Sequence, residues 1–333
     1  LLEIEMKTFK RTVIAGATVA GIAMGVSGTA QANVYAYSYL NLENFLIWKA
    51  STAVGPITGT STAGTTFDLT DFNPIVVTNT QKNVATLGAT SDTPTPATGG
   101  VGEDADGPLA CVGSCGGFGT NQFTQTAEGA TGSFVRADGN LTGTIITGTP
   151  NPTHPAIGTT MAEAWLYSDT TGSAESTITT TGNYTLVLAQ SEQMVFEFDA
   201  DLIYDVRYDT DPLNNPPTVV TSAEADSSFS ITIRDDQDNV VFEWAPNGFV
   251  GGINGTEYAD GDGAGKGSLN SSANVSFPAA PLDRNVSSTE FYRAATQTLM
   301  AGVEYTITIA QNSDIDLTRT TTAIPAPGAL ALF

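Results

Sequence analysis

The sequence predicts an all-β protein, an antiparallel β-sandwich of jelly-roll type with long Gly- and Thr-rich loops. The main observation is a stretch from Glu192 to Tyr208, in which apolar side chains occupy the even positions from Met194 and mostly charged ones the odd positions. Such alternation indicates a strand with one dry and one wet face. Composition agrees, since 34 glycines and only 14% charged residues suit short strands and turns. Further candidate strands follow at irregular intervals, as in a sandwich.

The other predicted elements follow in chain order. Residues 34–48 predict an edge strand, a turn and a second strand, and further strands are expected at 133–147, 160–168 and 173–190. Residues 227–244 predict a hairpin, because alternation on both sides flanks the Asp- and Asn-rich turn at 235–239. A loop is expected at 246–267, a short helix at 290–298 and a last strand at 303–309.

The chain is strongly acidic, with a net charge of −23 and an isoelectric point near 4.1. Such a surface repels nucleic acids and anionic lipids, so we expect no nucleic-acid partner. A mean hydropathy of −0.01 together with 41% apolar residues indicates a folded chain rather than a disordered one.

Few residues could support catalysis, and we expect a protein that is not an enzyme. His154, the single histidine, lies in N-P-T-H-P, and no G-x-S-x-G motif is present. A hydrolase with paired carboxylates stays open as an alternative, because its two acids, about 5–10 Å apart, come together only in the fold. Trp48, Trp165 and Trp244 suit a core or a sugar platform.

Calcium is the candidate cofactor, and no other is expected. Aspartates at short spacing supply the oxygen atoms that calcium prefers, although it needs roughly six to eight of them. Aspartate also favours turns without any metal. The candidate ligands are Asp209, Asp211, Asp235, Asp236, Asp238, Asp260 and Asp262.

The N-terminal region predicts export. Residues 1–5 precede Met6 as an upstream extension, and residues 6–32 combine a basic start, an apolar run at 13–26 and a small-x-small cleavage site at Ala30 and Ala32. This is the pattern of a secretory signal peptide, and its apolar run is shorter than the about 20 residues of a membrane span. We therefore expect the Sec machinery and signal peptidase as partners, and Asn33 as the mature N-terminus.

Export bears on the two cysteines, Cys111 and Cys115, which lie in C-V-G-S-C. They can pair across a tight loop if Gly113 bends the chain, and an oxidising compartment favours the disulfide. A redox pair or a zinc site is the alternative, but redox motifs favour C-x-x-C and zinc needs further ligands.

The last residues, I-P-A-P-G-A-L-A-L-F at 324–333, resemble the opening of the PEP-CTERM sorting signal of Gram-negative bacteria. The motif positions are Pro325, Ala326, Pro327 and Gly328, with Ala326 where the family usually has Glu. The resemblance implies a membrane helix and a basic tail after Phe333, with processing by an exosortase. We therefore expect an ectodomain at 33–318 and the start of a sorting signal at 319–333.

The Tyr-rich start of the mature chain and the segments 229–244 and 289–311 look like exosortase-dependent surface proteins. This resemblance implies a β-rich ectodomain at the cell surface or in a biofilm matrix, and it implies no catalytic residues. We expect a non-enzymatic surface or matrix protein, with self-assembly through strand edges or binding of a surface polysaccharide. A secreted carbohydrate-binding module, with or without calcium, is the alternative.

Overall fold

The protein is all-β, with seventeen strands and no helix among the residues that the computed structural model describes. Those residues are 33–50, 65–66, 72–100, 103–126, 132–143, 156–186, 191–209, 219–248, 254–260, 267–277 and 283–321. The strands are β1 (Asn33–Ala50), β2 (Thr65–Thr66), β3 (Phe72–Leu87), β4 (Thr90–Asp92), β5 (Ala97–Gly99), β6 (Ala105–Asp106), β7 (Ala110–Gly113), β8 (Phe134–Thr142), β9 (Ala156–Leu166), β10 (Thr170–Leu186), β11 (Gln193–Asp209), β12 (Val219–Asp235), β13 (Val240–Trp244), β14 (Gly255–Asp260), β15 (Ser271–Phe277), β16 (Asp283–Thr296) and β17 (Glu304–Thr321).

The strands form two antiparallel sheets that pack face to face, which confirms the predicted β-sandwich. The first sheet has the order β14-β16-β11-β1-β9-β8-β6, with β2 beside β1 and β7 beside β8. The second has the order β13-β12-β17-β10-β3-β4, with β15 beside β12 and β5 beside β3. The pair β8–β9 is nested within β3–β10, and both within β1–β11, which is the rolled arrangement of a jelly roll.

The even-numbered residues of β11 lie in the core, as the alternation predicts. Phe198 is fully buried, with its ring centroid 4.8–5.6 Å from those of Phe45, Phe229, Trp244 and Tyr292. These rings come from both sheets, so their burial joins the two layers. The odd-numbered residues of β11 therefore face away from the core.

The prediction of an edge strand and a turn at 34–48 is wrong. Residues 33–50 form one strand, β1, which lies between β11 and β9 inside the first sheet. The predicted turn is a β-bulge, where the register with β11 shifts between Glu43 and Leu46 and Asn44 adopts a φ of 55°. The extra residue returns Phe45 to the core side after Leu42, so the bulge keeps the apolar residues on one face.

The predicted helix at 290–298 is also wrong. Residues 290–296 belong to β16, which pairs with β11 on one side and β14 on the other. Helix preference is weak compared with pairing on both edges and burial of Tyr292 and Ala294 in the core. Likewise β14 lies within 246–267, where we expected only a loop.

The predicted hairpin is present, and the first and last strands lie at or near the ends of the predicted ectodomain. The hairpin is β12 followed by β13, joined at the expected turn. β1 begins at Asn33, the residue after the predicted cleavage site. β17 ends at Thr321, three residues beyond the predicted boundary at 318.

Candidate functional site

The outer face of the first sheet is covered by residues 114–126, here called the cover loop. Cys111 and Cys115 form a disulfide at its start, with their Cα atoms 6.0 Å apart, as predicted. Gly113 bends the chain between them with a φ of +96°. A Cβ at this position would lie 2.3 Å from the carbonyl oxygen of Ser133, so a glycine is required.

A buried ion pair lies beneath the cover loop. Arg136 on β8 and Glu163 on β9 are 1% and 0% exposed, and the Nε of Arg136 donates to Glu163 at 2.6 Å. The same guanidinium donates to the carbonyl oxygens of Gln122 and Thr124, at 3.0 and 2.8 Å. A buried arginine with a paired carboxylate and satisfied donors thus fixes the backbone of the loop.

Glu163 also binds the end of the loop. Its carboxylate accepts hydrogen bonds from the hydroxyl of Tyr35 at 2.6 Å, and from the amide and hydroxyl of Thr126 at 2.7 and 2.9 Å. Burial, followed by the charge of Glu163, raises the pKa of Tyr35 far above its ordinary value, so its hydroxyl stays a donor.

Asp138 holds the middle of the loop. One carboxylate oxygen accepts the backbone amides of Asn121 and Gln122, at 2.7 and 3.3 Å. Burial raises the pKa of Asp138 to about 6, although these amides, that of Gly139 and the charge of Arg136 lower it.

Aromatic packing completes the contact between loop and sheet. Phe118 lies 5.0 Å from Phe134, centroid to centroid, and the guanidinium of Arg136 lies 4.4 Å from the Phe118 ring. Beneath the loop lies an apolar cluster that is separate from the core between the sheets. Its buried residues are Tyr35, Tyr37, Phe134, Met161 and Trp165. The first sheet is therefore buried on both faces at β8, β9 and the start of β1.

Where the cover loop ends, a groove of about 680 Å³ remains, here called the tyrosine groove. Its floor and far side come from β1, β11 and β16, and its near wall is the loop. The Tyr37 and Tyr39 rings are nearly parallel, 6.3 Å apart, and Phe123 lies 6.4 Å from Tyr39. The lining residues are Tyr37, Tyr39, Asn121, Phe123, Thr124, Gln125, Asp201, Ile203, Ser287, Ser288 and Thr289.

Hydrogen bonds and charge define the chemistry of this groove. The Tyr37 hydroxyl donates to the carbonyl of Phe123, so the ring is held in place. Asp201 accepts a hydrogen bond from the hydroxyl of Thr289 at 2.5 Å. Burial, then the charges of Asp201 and Glu43, raise the pKa of Tyr39 to about 12, so it presents a neutral ring and a hydroxyl donor.

The predicted calcium ligands lie in separate places. Asp235 accepts hydrogen bonds from the Asn239 side chain and from the backbone amides of Asn239 and Gln237, and these hydrogen bonds, that of the Asn239 side chain first, lower its pKa. Asp238 contacts Arg234 at 3.4 Å, and Asp236 lies in the same turn, at the end of the second sheet. Asp209 ends β11 and Asp260 ends β14, both in the first sheet. Within the described ranges no group of three or more His, Cys, Asp or Glu residues could hold a metal ion.

The remaining predicted site residues lie outside the described part of the chain. They are Ala30, Ala32, Asp211, Asp262, Pro325, Ala326, Pro327 and Gly328. Of the three tryptophans, Trp165 and Trp244 are 4% and 0% exposed and therefore offer no sugar platform. The side chain of Trp48 is not described.

The cover loop, its ion pair and the groove were not predicted from the sequence. One signal was present. Arg136 follows Phe134 by two residues and Glu163 precedes Trp165 by two, so a charge and a large ring share the outward face of each strand. Large rings on an outward face indicate that something covers that face.

Comparison with known proteins finds no matching family model, no matching curated protein and no matching solved structure. In the part of the chain with described structure, no helix is long and apolar enough to span a bilayer.

We predict that Glu163→Gln lowers the free energy of unfolding by about 3–5 kcal/mol, because it removes the carboxylate that is paired with the buried Arg136 guanidinium. Urea unfolding measures the loss. Cleavage by chymotrypsin at Phe118 and Phe123 should become faster, because the cover loop is released. Glu243→Gln, at an exposed position on β13, is the matched control and should change neither quantity.

The double variant Arg136→Met with Glu163→Met tests the pairing directly. It should lower the free energy of unfolding by less than the sum of the losses in Arg136→Met and Glu163→Met, since neither charge is left without its partner. A double variant whose cost equals the sum would show that the two residues do not act as a pair.

Asp138 should make the protein less stable as the pH rises from about 4 to about 6. Its folded-state pKa of about 6 lies above the ordinary 3.8, so the folded protein binds the proton more tightly than the unfolded chain. The stabilisation from this group is therefore complete below about pH 4 and is lost as the pH rises through the folded-state pKa. In urea unfolding, Asp138→Asn should gain stability relative to the parent protein across this range. A constant difference would contradict the prediction.

Proposed function

We propose that the chain is an exported, non-enzymatic protein of the bacterial surface or extracellular matrix, which retains a polysaccharide in the tyrosine groove. The signal peptide pattern at residues 6–32 and the resemblance of residues 324–333 to a sorting signal support export and exosortase processing. The disulfide between Cys111 and Cys115 suits an oxidising compartment.

The tyrosine groove is the observation that carries polysaccharide binding. A sugar ring has apolar C–H faces and a rim of hydroxyl groups, and a matching site combines aromatic faces with a few polar groups. Here Tyr39 and Phe123, which are half-buried, supply aromatic faces, while Asp201, Ser287 and Thr289 supply hydrogen-bonding groups. The groove is open rather than enclosed, which suits a segment of a longer polymer.

The lining also favours binding over hydrolysis. Asp201 is the one carboxylate among the described residues that line the groove, whereas hydrolysis by paired carboxylates needs two acids facing the same bond. The proposed function is therefore that of a surface protein that also binds carbohydrate, with tyrosines in place of tryptophans as the sugar platform. Calcium dependence stays a prediction.

Export and sorting are tested by expressing the gene in a Gram-negative host and following the processing of the protein. The released protein should begin at Asn33, and Ala30→Arg with Ala32→Arg should leave the precursor uncleaved, because signal peptidase requires small residues there. The double variant Pro325→Ala with Pro327→Ala should not be processed at its C-terminal signal. The parent protein should also stay unprocessed there in a host that lacks exosortase. A precursor processed equally in all these cases would contradict the proposal.

We predict that Tyr39→Ala weakens polysaccharide binding at least about tenfold, which corresponds to about 1.4 kcal/mol. Affinity electrophoresis through a series of neutral, amino-sugar and acidic polysaccharides measures the effect. Tyr39→Phe should retain most of the binding, because the ring remains. Val76→Ala, at an exposed apolar position on the opposite sheet, should have no effect.

Binding that is unchanged in Tyr39→Ala for every polysaccharide would overturn the groove as the site. The same measurement with EDTA tests the calcium prediction, since a calcium-dependent module loses binding when the metal is removed. Thermal unfolding of each variant shows whether the fold is retained.

A further inference from the structure

Resting on the polysaccharide binding proposed above, we infer that the tyrosine groove selects a polymer that carries free amino groups, of the class of a de-N-acetylated amino sugar. Three features of the outer face of the first sheet carry this inference: the aromatic groove, the carboxylates beside it, and the partners of the nearby arginines.

Carboxylates continue the floor of the groove away from the cover loop. Asp201 lies in the groove, and Glu43 on β1 is directly opposite Asp199 on β11. Asp199 and Asp201 are on the same face, about 6–7 Å apart along the strand. Opposed like charges destabilise a sheet, so this row is costly unless a cation is nearby.

Among the described side chains, no lysine or arginine forms an ion pair with Glu43, Asp199 or Asp201. Neutral groups donate to them instead: Thr289 to Asp201 at 2.5 Å, Asn44 to Asp199 at 2.9 Å, and Asn41 to Glu43 at 2.8 Å. These donors are uncharged, so they supply no counter-charge to the carboxylates beside the groove.

The arginines of the same face are already paired with other carboxylates. Arg207 contacts Asp205 at 3.1 Å, and Arg293 contacts Glu197 at 2.8 Å. Arg136 is buried with Glu163 under the cover loop. The ion pairs of these three arginines thus leave Glu43, Asp199 and Asp201 as a row of carboxylates along one border of the groove.

A spaced row of charges beside an aromatic floor fits a cationic polymer better than a metal ion. No metal-binding group occurs among the described residues, so these carboxylates do not converge on a single point. An ammonium group on a sugar makes a charge-assisted hydrogen bond to a carboxylate, and its positive charge is attracted by the face of Tyr39. Polymers rich in uronic acid or sulfate are repelled by the same row.

The test compares two probes of equal length, N-acetylglucosamine oligomers and the same oligomers after de-N-acetylation, at a pH where the amine is protonated. Calorimetric titration of the disulfide-bonded chain should show binding to the de-N-acetylated probe at least about tenfold tighter, a difference of about 1.4 kcal/mol. High salt should reduce this preference, because it screens the charges.

Asp201→Asn should remove most of the preference, because it removes the charge of the carboxylate that lines the groove. Glu43→Gln, at an exposed position where folding is not at risk, should lower the preference in part. Asp236→Asn, an exposed aspartate in the β12–β13 turn, is the control of the same chemistry and should leave it unchanged.

Equal binding of the two probes, or a preference kept in both Asp201→Asn and Glu43→Gln, overturns the inference. If the inference fails in this way but Tyr39→Ala weakens binding to either probe or to another polysaccharide, the proposed function stands without the selectivity for amino groups. If the parent protein retains no polysaccharide, or Tyr39→Ala weakens none, both fail.

Discussion

The sandwich and the tyrosine groove both depend on the side-chain alternation of β11. Its even positions hold Phe198 and the other core residues, while Asp201 and Ile203 at odd positions form part of the groove. A slip of one residue would exchange the two sets of side chains, placing carboxylates in the core and rings in water. Pairing with β1 and β16 along almost the whole strand fixes this register, so the fold and the candidate site are determined together.

The second constraint is the ion pair beneath the cover loop. Arg136 and Glu163 are charged groups in a buried site, and such pairs add little stability compared with apolar residues of the same size. Their value here is positional, because the donors of Arg136 and the acceptors of Glu163 hold loop backbone at Gln122, Thr124 and Thr126. The loop so positioned places Phe123 beside Tyr39 and becomes the near wall of the groove.

Features set by local chemistry could be predicted from sequence, and features set by distant partners could not. The alternation of residues 194–208 and the turn at 235–239 lie within short segments, and both were predicted correctly. Residues 34–48 were predicted as two strands joined by a turn. They form one bulged strand because distant strands pair with both of its edges, and these partners are not visible in the local sequence. The site was harder still, since residues from β1, β11, β16 and the cover loop meet there without a shared motif in the sequence.

The pairing of β1 has a consequence for biogenesis. Asn33 pairs with Asp209 and Val34 with Leu166, while β2 pairs only with Trp48 and Lys49, so the first residues of β1 find no partner strand until β9 has been synthesised. Folds with such distant pairings form slowly, because the entropy cost of closing long loops comes before the stabilising contacts are made. A polypeptide that emerges N-terminus first would thus present the tyrosine-rich β1 to solvent and to chaperones for the longest time.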